Sequence, residues 1–139
     1  METKIKKGFK KNIKNLYSHL GVQSILDLKA LTGRVDIEDL YDMFRKSEGV
    51  YSLFYGDFVC SMFFFVRGKN NKYNLFVFST DLPIVGIKDK LKNFIPDNTD
   101  ALVYNNNKKV LKLLKSCGFI EKGMLKYGVE KKNFRLLRR

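Results

Sequence analysis

The chain has 139 residues, 45% of them apolar and 14% aromatic, and its 27 Lys and Arg against 14 Asp and Glu leave a net charge of +13. This is a single globular domain by size, 1–139, and too apolar to be disordered. The longest apolar run, 58–66, is a strand's worth and too short for a bilayer, while two lone cysteines and one histidine argue against a disulfide framework or a zinc site.

The basic start, METKIKKGFKK, is followed by no apolar signal region, so a cytoplasmic rather than exported protein is expected. A weak first strand lies around 3–5. Residues 10–20 place Ile13, Leu16, Tyr17 and Leu20 on one helical face, and Gly21 is a stop signal. A second helical piece, 24–31, turns Ile25, Leu28 and Leu31 inward and ends at Thr32-Gly33. Asp36 caps a third helix, 36–46, with Asp39 three positions on as in a capping box and with Ile37, Leu40, Tyr41 and Phe44 as its stripe. Its acidic first turn suits the helix dipole, so a carboxylate site is not needed to explain it.

Residues 50–67 read as a β-hairpin about Gly56-Asp57, and the unbroken apolarity of 58–66 implies a strand covered on both faces. After a polar loop, 73–80 is a central strand with Leu75 to Phe78 at its heart. Asp81 and Pro83 open a helix whose inner face is Ile84, Ile87, Leu91, Phe94 and Ile95, with Pro96 as its stop. Residues 101–104 form a short strand, and Asn105, Asn106 and Asn107 lead into a helix with Val110, Leu111, Leu113, Leu114 and Cys117 on one side and lysines on the other. Gly118 fits a left-handed helix end, with Phe119 folding back on the last turn. Strand pieces follow at 120–121, 124–127 and 133–137. The whole is an α/β sandwich, a mixed β-sheet of about six strands flanked by helices on both faces.

The segment from Asn107 to Gly118-Phe119, set between two strands, resembles the last signature segment of the GNAT (Gcn5-related N-acetyltransferase) fold, and the element order before it is that fold's order. Within this superfamily the chain is most similar to small GNAT-like proteins of short-tailed bacteriophages that serve as internal virion or head-assembly proteins. There too an aromatic strand ending in Ser/Thr-Asp precedes a helix, a strand, Asn, a helix and Gly. The resemblance covers about Val50 to the C-terminus.

The resemblance implies an acyl-CoA site. The pantetheine arm would run beside Phe78, Ser79 and Thr80, and Asn107 matches the family's asparagine, although its plain role is to cap a helix. The pyrophosphate would sit at a turn that usually reads Arg/Gln-x-x-Gly-x-Gly/Ala, where backbone N–H groups attract phosphate. Here the turn reads Asp81-Leu82-Pro83-Ile84-Val85-Gly86-Ile87. Gly86 alone keeps the pattern, Pro83 removes an N–H and Asp81 brings negative charge. The tyrosine that protonates the leaving thiolate is replaced by Leu114, which cannot transfer a proton; Tyr104 and Tyr73 are other hydroxyls in reach of the reading, and no spacing selects either. Three expectations follow. The first is a catalytically degenerate phage-type protein that acts on a virion or host protein partner without a cofactor. The second is an acetyl-CoA-dependent N-acetyltransferase acting on an amine. The third is a basic nucleic-acid-binding module, since the charge calls for an anionic partner; AT-rich coding also favours lysine, and arginine is scarce.

Overall fold

The computed structural model describes residues 3–82 and 88–139. Seven strands form one sheet in the order β1-β2-β3-β4-β5-β7-β6. They are β1 (Thr3–Lys7), β2 (Ser47–Tyr55), β3 (Phe58–Arg67), β4 (Tyr73–Ser79), β5 (Asp100–Tyr104), β6 (Ile120–Tyr127) and β7 (Lys132–Arg138). Among the described residues five α-helices join them: α1 (Lys10–Ser18), α2 (Val22–Thr32), α3 (Ile37–Lys46), α4 (Lys88–Phe94) and α5 (Lys108–Ser116). Every neighbouring pair is antiparallel except β4 and β5, which run parallel.

Period-two alternation in β3 and β4 explains their continuous apolarity. Phe63, Phe65, Leu75 and Val77 face one core, under α4 and α5, with Leu91, Val110, Leu111 and Leu114. Met62, Phe64, Phe76 and Phe78 face the other, under α1, α2 and α3, with Ile13, Leu16, Leu28 and Leu40. The covered central strand expected from 58–66 is thus borne out, as is the two-residue turn, where Tyr55 pairs with Phe58 and Gly56 has φ 61°.

Local signals account for most element ends. Asp36 accepts from Glu38 N at 2.9 Å, and Gly33 takes the left-handed φ of 86°. Asn107 accepts from Val110 N at 3.3 Å. Gly118 has φ 94°, and Phe119 N donates back to Leu114 O at 3.0 Å, which tucks the phenyl ring into the core.

The structure departs from the sequence expectations in four places. Residues 120–127 form one strand with a bulge between Glu121 and Gly123 rather than two pieces, in a sheet whose seven strands agree with the expected six or so. Asp39 does not reach back to the cap; its carboxylate pairs with Arg34 at 3.2 Å. Gly21 is not the stop of α1, which ends at Ser18, but the residue that caps α2. Its position is set by close approach, since a Cβ there would stand 2.5 Å from Asp81 Oδ1 and 3.0 Å from the Thr80 carbonyl carbon. The helix expected from Asp81 is seen as α4 over Lys88–Phe94; Pro83, Ile84, Val85, Gly86 and Ile87 lie outside the described residues.

Candidate functional site

β4 and β5 pair only at Asn74–Asp100 and Leu75–Ala101. Beyond that point their carboxyl ends diverge and open a gap in the middle of the sheet. Open α/β sheets place ligands in crevices outside the carboxyl ends of their strands. Phe78, Ser79 and Thr80 form one wall of this gap, and Asn107 stands beyond the end of β5.

α2 spans the gap. Ser79 N donates to Ser24 Oγ at 2.7 Å, and Gly21 N donates to Ser79 O at 2.9 Å. The other groups of this wall are also bonded within the chain. Ser61 Oγ donates to Phe78 O at 3.1 Å, Thr80 N donates to Cys60 O at 3.0 Å, and Lys109 Nζ donates to Thr80 O at 3.2 Å and to Leu82 O at 2.5 Å. Burial holds the Lys109 ammonium below its ordinary pKa, against the opposing pull of Asp81. Asp81 itself accepts from Val22 N at 3.3 Å, which fastens the start of α2 to the end of β4.

One turn further along α2, Asp27 reaches Asn107. Asn107 Nδ2 donates to Asp27 Oδ2 at 2.5 Å, while Asn107 Oδ1 caps α5. Both residues are buried, Asp27 at 6% and Asn107 at 1% exposure, and Asp27 Oδ1 has no hydrogen-bond partner among the described residues. Burial pushes the Asp27 carboxyl up to about 7, with the Asn107 amide pulling the other way.

The sequence readings distribute as follows. Phe78, Ser79, Thr80 and Asn107 come together around the gap, and Gly86 falls among the residues not described. Leu114 is fully buried in the core beneath α5. Tyr73 lies at the opposite end of β4, its hydroxyl bonded to Arg67 Nη2 at 3.0 Å. Tyr104 ends β5 and packs on Phe134 with ring centroids 5.5 Å apart. His19 packs edge-on against Phe58 at 4.9 Å, a structural place. Sequence reasoning missed Ser24 and Asp27. Both lie on the inward face of a helix whose apolar stripe was read without them, and polar residues on such a stripe were the available signal.

The acyl-CoA fit can be tested on these bonds. An extended amide chain laid along β4 would need the gap-facing N–H and C=O of Ser79, and both already serve α2. The described residues therefore do not fit the cofactor unless the first turn of α2 withdraws. Nor do they include a group of three or more His, Cys, Asp or Glu able to hold a metal ion.

No family model and no curated protein matches this chain. Among solved structures, it is similar to Ard1 from Thermoplasma volcanium, with 15% identity, a TM-score of 0.69 and coverage of 100% of this chain and 97% of that one. It is similar to the ribosomal-protein-alanine N-acetyltransferase from Brucella melitensis, at 12% identity and TM-score 0.68, over 98% of each chain. A third likeness is to AAC(6')-Ib in complex with ribostamycin and coenzyme A, at 8% identity and TM-score 0.69, over 99% of this chain and 92% of that one. These likenesses show the GNAT fold that the sequence reading expected. No helix among the described residues is long and apolar enough to cross a membrane.

Proposed function

We propose that this is a GNAT-fold protein that no longer transfers acyl groups and works by holding a macromolecular partner, as a phage-encoded virion or assembly component in the host cytoplasm or the virion. One observation carries the reading: the gap-facing backbone of Ser79 is bonded to Gly21 and Ser24 of the same chain. The resemblance of the 78–81 and 104–119 segments to phage proteins supports the setting, and Leu114 in place of a proton donor supports the loss of chemistry. Isothermal titration with acetyl-CoA and with CoA at moderate salt tests it. No heat of binding at millimolar ligand is expected; one-to-one binding that is lost in Gly86→Glu would overturn it.

A second reading, an acetyl-CoA-dependent N-acetyltransferase acting on an amine, is favoured by Asp27. A buried carboxyl with a free oxygen and a pKa near neutrality is suited to accept a proton from an ammonium group. In that reading Phe78, Ser79, Thr80, Gly86 and Asn107 line the cofactor, and α2 moves aside to admit it. The cofactor would supply the activated acyl group; this chain would orient the amine and take its proton.

A further inference from the structure

Beside the gap, the β6–β7 hairpin bends over α2. Gly128 makes the approach possible, since a Cβ there would meet the Ala30 carbonyl oxygen at 2.4 Å, and Val129 packs over Gly33. Two adjoining clefts result. One, of about 430 Å³, includes Lys29, Tyr104, Val129, Glu130 and Lys132 in its walls. The other, of about 400 Å³, is formed by Tyr104, Asn105, Asn106, Lys126, Lys131 and Lys132, with Asn133. Tyr104 and Lys132 belong to both, so the clefts make a continuous groove.

The charge around this groove is one-sided. Lys29, Lys126, Lys131 and Lys132 are exposed on it, and Glu130 is its one carboxylate, 3.3 Å from Lys132. The arginines, by contrast, are matched. All six arginines pair with carboxylates: Arg34 with Asp39, Arg45 with Asp42, Arg67 with Glu48, Arg135 with Glu121, Arg138 with Asp100 and Arg139 with Asp97. Unmatched positive charge therefore rests on lysines, and here the packing of the hairpin on α2 gathers it around a tyrosine and three asparagines.

We propose that this groove binds single-stranded nucleic acid without sequence preference. Lysines act as point charges on phosphates, and an aromatic face accepts any base. The arginine forks that would read guanine are all engaged with carboxylates. A groove with a ring and amide groups among its lining fits splayed bases, which a wholly extended acidic peptide would leave unused. This inference stands apart from the reading of the β4–β5 gap, because Lys126, Lys131 and Lys132 lie on the hairpin and not on α2, the helix that acyl-CoA would displace.

The test is fluorescence anisotropy with a labelled twelve-residue oligothymidylate, on the full chain, from 20 to 200 mM KCl. Lys126→Glu/Lys131→Glu/Lys132→Glu is compared with Lys14→Glu/Lys46→Glu/Lys69→Glu, which makes the same change in net charge on other exposed positions. We expect the hairpin variant to bind at least tenfold more weakly, with a salt slope shallower by about 2, as for three lost phosphate contacts on a single strand. The control should lose less than threefold. Lys131→Gln alone, the gentler change, should lower the slope by about 0.7. Tyr104→Leu should weaken binding several-fold with an unchanged slope. Equal losses in both triple variants, no binding at 20 mM KCl, or equal competition by polyglutamate at matched charge would each overturn the proposal, the last in favour of an acidic protein partner.

Discussion

Asp27 is the residue whose chemistry is least like that of its type. Its carboxyl titrates near 7 because the fold removes it from water, gives it one amide donor and leaves its second oxygen bare. The consequence for stability has a definite sign. Below about pH 4 the group is protonated in both folded and unfolded chains and costs nothing. As pH rises from about 4 to about 7, the unfolded chain releases this proton and the folded chain keeps it, so stability falls across that window and is level above it. The size of the fall is on the order of 3 kcal/mol. Asp27→Asn keeps an oxygen to accept from Asn107 and carries no charge. Urea melts from pH 4 to pH 8 should therefore show a flatter profile for the variant, and greater stability than the parent at pH 8. An unchanged slope would mean that Asp27 is ionised and solvated in the folded protein.

At the scale of elements, α2 decides what the β4–β5 gap can do. Its N-terminus is pressed against the end of β4 so closely that Gly21 has no room for a side chain, although its φ of −72° suits any residue. Gly21→Ala is thus a purely steric probe. The Asp81 carboxylate can swing away from a new methyl group, but the Thr80 backbone cannot. We expect a loss of about 1–3 kcal/mol in urea unfolding, the usual cost of overpacking, whereas Asp81→Ala, which removes one bond to Val22 N, should cost about 1 kcal/mol. This contact also shows where sequence reading succeeds. The Asp36 and Asn107 caps, the helix ends at Gly33 and Gly118, and the two-faced apolar run of β3 are all specified within a few residues of chain, and all were legible. The bonds of Ser24 to Ser79 and of Asp27 to Asn107 join positions 55 and 80 residues apart. No local period marks them, and Gly21 read as a stop because a close approach to a distant strand has no signature of its own. Asn107 was recognised as a cap, yet the buried carboxylate that shares its side chain could be found only by folding the chain.

For the whole molecule, the sheet divides the protein into two cores that are closed by different kinds of contact. The face under α4 and α5 packs the helices that follow β4 and β5 against residues of β2, β3, β4, β5 and β7, whereas the face under α1, α2 and α3 brings the first third of the chain against strands that follow it. Bringing the ends of long loops together is entropically unfavourable and slows the contacts that depend on it. We therefore expect the seal that α2 makes across the gap to form late in folding. By the same logic it belongs to the regions that open locally while the central β2–β3–β4 strands stay intact. Hydrogen exchange followed by mass spectrometry should find the Ser79 amide, bonded to a side chain on α2, exchanging sooner than the ladder amides around Phe64 and Val77; equal protection would mean that α2 and the central strands unfold as one cooperative unit. A gap sealed by the protein's own backbone thus has a clock, and any molecule that is to enter it must wait for α2 to breathe.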